Sequence, residues 1–164
     1  YHLAQFFFFF LTRMGTLESY GHDIECSWLL HEAALVLNDK ELSDRVKSIV
    51  REVAKASEKG LQPDGSMAYE TGDADRHWWV QAETVVGFLN LYQHFGDKEA
   101  LQKALRCWDY IRRHLIHPKY GEWYWSIRAD GTPNQQDDLA GFWKCPYHNS
   151  RMCLEIIERS FAIS

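Results

Sequence analysis

Between Asp23 and Phe161 the sequence runs about two and a half times through one cycle: a mostly apolar helix, an amphipathic helix, and a long loop carrying Trp, Gly and Asp. The first helix is marked by Ile24, Trp28, Leu29, Ala33 and Val36, which recur at helical spacing until Asn38-Asp39 breaks the pattern. A second helix is expected over Lys40–Ser57, with Leu42, Val46, Ile49, Val50, Val53 and Ala54 on one face and Gly60 as its C-cap. Residues 60–76 are rich in Gly and Asp and read as an ordered loop. A third helix follows over about His77–Phe95, a turn at Gly96-Asp97, and a fourth helix over Lys98–Ile116, stopped by Pro118. Gly121–Ile127, with its alternating Trp123 and Trp125, and Asp130-Gly131 suggest a short hairpin. Residues 132–147 form a second long polar loop before a fifth helix from about His148 to Phe161.

Helical hairpins repeated in this way predict an all-α fold of the solenoid or toroid kind, here a single domain over residues 1–164. The more apolar helices form the inner row, and the long loops gather at one mouth, where sites are built. Residues 1–18 lack this patterning, and the Phe6–Phe10 run has neither helical nor strand alternation.

The charge balance narrows the partners. The net charge is -5 and no Lys/Arg cluster occurs, which argues against nucleic acid and anionic membranes. The longest apolar stretch is the Phe6–Leu11 hexamer, far short of the roughly 20 residues of a membrane helix. No secretory signal is visible, and Cys26, Cys107, Cys145 and Cys153 form no C-x-x-C pair, so reduced thiols in the cytoplasm are expected. Aromatic residues make up 15%, seven of them Trp, which suits either a thick helical core or a pocket offering flat faces to the apolar side of a sugar ring.

Three clusters carry chemistry. In Gly21-His22-Asp23-Ile24-Glu25, His22 and Glu25 share a helix face and Asp23 sits in the first turn, near the positive end of the helix dipole. In His77-Trp78-Trp79-Val80-Gln81-Ala82-Glu83, Glu83 lies one turn beyond Trp79, a carboxylate beside an indole. In Trp143-Lys144-Cys145-Pro146-Tyr147-His148, His148 opens a helix and shares its first turn with Arg151. Taken singly, each has a plainer reading: a capped helix with a solvated His22, two core Trp with an exposed Glu83, and a structural His148. Taken together, all three sit where a loop meets an inner helix and point at the same mouth. Histidine gives and takes protons near neutrality, so His22 and His148 suit proton abstraction beside a carbonyl. A His₂Glu zinc site from His22, Glu25 and His148 is the metal alternative, and the absence of an H-E-x-x-H spacing argues against it.

The segments SYGHDIECSWLLHEAA, RHWWVQAETVVGFLNLYQ, GEWYWSIRADGTP and GFWKCPYHNSRMCLEI resemble blocks of the cellobiose 2-epimerases, in the superfamily of N-acylglucosamine 2-epimerase. The resemblance runs in order over about Ser19–Ile157 and leaves residues 1–18 poorly matched. It implies the C-terminal portion of an (α/α)6 barrel, forming an open arc. It implies His22 and His148 as catalytic residues and Glu25, Trp78, Trp79, Glu83 and Trp143 as substrate-site positions, to which helical facing adds Arg151. It further implies exchange of glucose and mannose configuration at C2 of a β-linked disaccharide such as cellobiose, with no cofactor and no metal. An aldose–ketose isomerase, an N-acylglucosamine 2-epimerase and a non-catalytic carbohydrate-binding fragment remain open. So does a glycoside hydrolase using Glu25 and Glu83.

Overall fold

The computed structural model describes residues 2–4 and 15–161, so the Phe6–Phe10 run lies outside the described residues. Five helices follow in order: α1 (Tyr20–Leu37), α2 (Lys40–Ser57), α3 (Trp78–Phe95), α4 (Lys98–Tyr110) and α5 (Tyr147–Phe161). The two hairpin turns use the same chemistry. Asn38 ends α1 in the left-handed region at φ 50°, and Asp39 then accepts from the Leu42 N–H to cap α2. Gly96 ends α3 at φ 70°, and Asp97 accepts from the Ala100 N–H to cap α4. A left-handed residue closes one helix and a carboxylate opens the next, so two residues reverse the chain.

The helices form two rows. The apolar α1 and α3 lie side by side with α5 on the far side of α3, while α2 backs α1 and α4 backs α3. α3 is central and buried nearly all round, with Val80, Ala82 and Phe88 fully buried. Burying a side chain such as Val80 or Phe88 contributes about 1.5–3 kcal/mol, so this helix dominates the core. Its contact with α1 is unusually close at Gly87. A Cβ there would stand 2.6 Å from Ile24 Cγ1 and 3.1 Å from the Ile24 carbonyl oxygen. At the end of the inner row away from the loops, the buried Arg159 of α5 donates to Glu32 of α1 and to Asn90 and Gln93 of α3.

Three local expectations are corrected. Gly60 is not a left-handed C-cap: α2 ends in a 3-10 turn over Glu58–Gly60, and the missing side chain makes room for the Tyr20 ring, 2.5 Å from where a Cβ would be. The fourth helix does not run regularly to Ile116. It widens into a π turn over Ile111–Leu115, closed by the Ile116 N–H donating to the Ile111 carbonyl, before Pro118 forbids continuation. The Asp130-Gly131 turn forms, but the strand before it pairs mainly elsewhere. β1 (Arg76–His77) and β2 (Ser126–Ile127) are antiparallel, Arg76 opposite Ile127, which joins the loop entering α3 to the loop leaving α4. This ribbon fixes the mouth of the arc.

No helix among the described residues is long and apolar enough to cross a membrane, and all four cysteines are unpaired. Replacing Gly87 by Ala tests the α1–α3 contact. In an ordinary helix interior the change stabilises by about 1 kcal/mol. Against Ile24 it forces the helices apart, and the expected outcome of chemical denaturation is a net loss of about 1–3 kcal/mol. A variant more stable than the parent would rule out the close approach.

Candidate active site

The first turn of α1 carries one half of the site. Ser19 stands at the N-cap but its hydroxyl caps no backbone N–H. It bonds instead to His22 Nδ1 at 2.7 Å. The His22 ring packs on Trp79 at 4.8 Å between centroids and on Tyr69 at 6.2 Å. Burial is the main influence on His22 and pushes its pKa below the ordinary 6.5, opposed by the charges of Glu25 and Asp23 and reinforced by that of His148. Asp23 is buried, and its carboxylate accepts from the Leu3 N–H and bonds His2 Nδ1.

The other half is built around Glu83, which is 1% exposed in the second turn of α3. Its Oε2 accepts from the Trp28 indole N–H at 2.8 Å. Its Oε1 accepts from His148 Nδ1 at 2.7 Å and from Arg151 Nη2 at 2.6 Å. A carboxylate only accepts, so His148 carries its proton on Nδ1 and presents Nε2 as the proton-accepting atom. Arg151 Nη2 also donates to Glu25 Oε1 at 2.8 Å, and the guanidinium lies over the Trp28 ring. Glu83 therefore does not clamp a sugar at the cavity wall. One turn beyond Trp79 on an inner helix leads down into the core, and the carboxylate holds His148 from behind. Arg151, expected to face substrate, is held by the same two carboxylates.

Between the halves lies a cavity of about 580 Å³, lined by His22, Glu25 and His148 and by an aromatic wall that includes Trp78, Trp79 and Trp143. Trp143 is 77% exposed at the rim, Trp79 is half-buried, and Trp78 is buried with its indole N–H lacking a hydrogen-bond partner among the described residues. His148 also stacks on Trp79, at 5.5 Å, so one indole touches both histidines. The loop bearing Trp143 is anchored by Lys144, a buried lysine that donates to Glu122 and to the Leu139 carbonyl and sits over the Trp78 ring. Burial lowers its pKa, against the opposing pull of Glu122.

Sequence reasoning thus found His22, Glu25, Trp78, Trp79, Trp143 and His148, all of which the structure brings to one cavity. It missed Ser19, the Trp28 indole, Tyr69, Trp125 and Tyr147. Trp125 had a signal in the alternating aromatics, and Tyr147 stands beside His148, but nothing local marks Tyr69. Two alternatives lose their geometry. Glu25, Glu83 and His148 offer ligand atoms within 4.8 Å of one another, without His22, yet Arg151 Nη2 already stands among them and supplies the positive charge. Glu25 and Glu83 do not flank a sugar as a hydrolase pair, because they share that guanidinium nitrogen and Glu83 is buried behind His148.

The chain is 58% identical over 145 residues to a cellobiose 2-epimerase of Bacteroides fragilis, covering 85% of this chain and 37% of that protein. Its structure matches that of a sugar epimerase from a ruminal bacterium with a TM-score of 0.91 and 39% identity, over 96% of this chain and 42% of that one. It matches a cellobiose 2-epimerase of Bacillus thermoamylovorans with a TM-score of 0.85 and 45% identity, over 94% and 40%. The chain spans about two-fifths of the length of these relatives, and its five helices are an open arc of an (α/α)6 barrel. A family model described as N-acylglucosamine 2-epimerase matches residues 14–151, from before α1 into α5, and the chain therefore belongs to the N-acylglucosamine 2-epimerase family.

Proposed function

We propose that the complete protein carrying this chain is a sugar 2-epimerase, which interconverts glucose and mannose configuration at the reducing end of a β-linked disaccharide such as cellobiose. The observation that carries this reading is the pair of histidines on one aromatic cavity, each with Nδ1 tied back to a buried partner. The similarity to cellobiose 2-epimerases supports the disaccharide as substrate.

The chemistry follows from the positions. Ring opening exposes the C1 aldehyde and acidifies the proton on C2. One histidine takes that proton through Nε2, leaving an enediolate, and the other returns a proton to the opposite face of C2. Two bases invert the centre without turning the intermediate over, and no electrons are gained or lost. Positioned general bases contribute about 10²–10⁴-fold each. Trp79 and Trp143 offer flat faces to the sugar, Glu25 reaches the cavity wall beside His22, and Glu83 keeps the His148 ring in place as a positioning residue. Arg151 neutralises part of the charge of Glu25 and Glu83.

Replacing His22 or His148 by Asn in the complete protein is expected to lower epimerisation by at least about 10²-fold with the fold retained. Each variant keeps the base for one epimer. Incubated in D₂O and followed by NMR, each is expected to exchange the C2 proton of one epimer without forming the other. Near-parental epimerisation by both variants would exclude the two-histidine mechanism.

The pH profile is a second test. The working pair holds one proton, so activity falls on the acid side when a second is taken up and no base remains. His22, held below 6.5 by burial, resists that uptake. The acid limb of kcat/KM is therefore expected below pH 6.5, and a limb above neutrality would contradict the assignment.

A further inference from the structure

The two histidines have unlike partners. His148 Nδ1 is held by the anionic Glu83, whereas His22 Nδ1 is held by the neutral hydroxyl of Ser19. That hydroxyl is in an unusual place. A serine at a helix N-cap ordinarily accepts from a backbone N–H of the first turn, an interaction worth about 1 kcal/mol. Ser19 has N-cap backbone geometry, with φ -105° and ψ 104°, yet gives up the cap. It is 1% exposed, so its hydroxyl is shut off from water, and among the described residues its hydrogen-bond partner is His22 Nδ1. The local fold thus forgoes a capping bond and directs the hydroxyl to a side chain at the cavity.

We propose that Ser19 is a positioning residue for His22: its hydroxyl holds Nδ1 on the protein side and makes Nε2 the nitrogen that serves the cavity, as a neutral counterpart to Glu83 behind His148. This rests on His22 acting in proton transfer. A hydroxyl suits the task because its oxygen accepts from Nδ1–H both when His22 is the charged acid and when it is the neutral base with Nε2 bare. The ring therefore needs no reorientation as its charge changes. A carboxylate in the same place would bring another charge beside Glu18, Asp23 and Glu25. The groups facing His22 among the described residues include Asp23 and Glu25 on α1, His148 on α5, the Trp79 ring on α3 and the Tyr69 ring from the loop after α2.

The test uses the complete protein with Ser19→Ala and Ser19→Thr, read by two measurements. In the first, the His22 ring is titrated by NMR without substrate. Ser19→Ala removes the acceptor that supports the imidazolium, so the His22 midpoint is expected to move to lower pH, and Ser19→Thr, which restores a hydroxyl, is expected to bring it back. In the second, epimerisation kinetics are expected to show kcat about tenfold lower for Ser19→Ala, with KM little changed and recovery in Ser19→Thr. A His22 titration unmoved in a folded Ser19→Ala protein overturns the proposal, whatever happens to kcat, since a purely structural serine lowers stability and leaves the ring's titration alone. A moved titration with unchanged kcat in an active enzyme also overturns it. If the parental protein shows no epimerisation at all while the titration moves and recovers, the positioning of His22 stands and the epimerase reading fails.

Discussion

A carboxylate buried in the second turn of an inner helix organises this arc. An unpaired charge in such a place costs several kcal/mol and is not tolerated. Glu83 is therefore saturated by Trp28 from α1 and by His148 and Arg151 from α5, while its own backbone belongs to α3. One side chain thus ties together all three inner helices at the level of the site. Removing any partner leaves charge exposed to the core, which couples the geometry of His148 to the packing of α1. The core beneath is apolar and close, as Gly87 against Ile24 shows, so the polar knot sits on a rigid floor.

Above that floor the loops behave as a frame. The two-stranded ribbon of β1 and β2 binds the entrance of α3 to the exit of α4, and Lys144 nails the last loop to Glu122 beneath Trp143. Long loops of this composition ordinarily wander. Here polar anchors such as Lys144 and the β1–β2 pairing hold them, and the aromatic rings pack in pairs, Trp78 on Trp125 at 4.6 Å and Phe142 on Trp143 at 5.2 Å between centroids.

Much of this was legible in the residues. Helix periodicity located α1 to α5 to within a few positions, although Leu29, Ala33 and Val36, which marked α1, are exposed in this arc. Asn38-Asp39 and Gly96-Asp97 announced the turns by their own chemistry. The histidines stood out because each opens an inner helix at a loop. What stayed hidden depends on contacts distant in sequence. The Trp28 indole and Glu83 are 55 residues apart, and the periodic reading of α1 gave Trp28 only a core position. Glu83 itself was misplaced because helical facing fixes a direction around the axis but not the depth along it. Gly60 was read by its conformational freedom when the operative fact was a neighbouring ring. The partner of β2 lay in another loop, beyond any local turn signal.

The placement of α5 has a kinetic consequence. The α1–α2 and α3–α4 hairpins turn on two residues each, so their closure entropy is small and they organise locally. α5 depends on partners across very long separations: Arg151 meets Glu25 at 126 positions and Arg159 meets Glu32 at 127. The helix that carries His148 is thus, among the described elements, the one whose docking closes the longest loops, and the cavity is complete only once it has docked. The cavity therefore depends on the most sequence-distant contacts in the arc, while the hairpins that frame it depend on the most local ones.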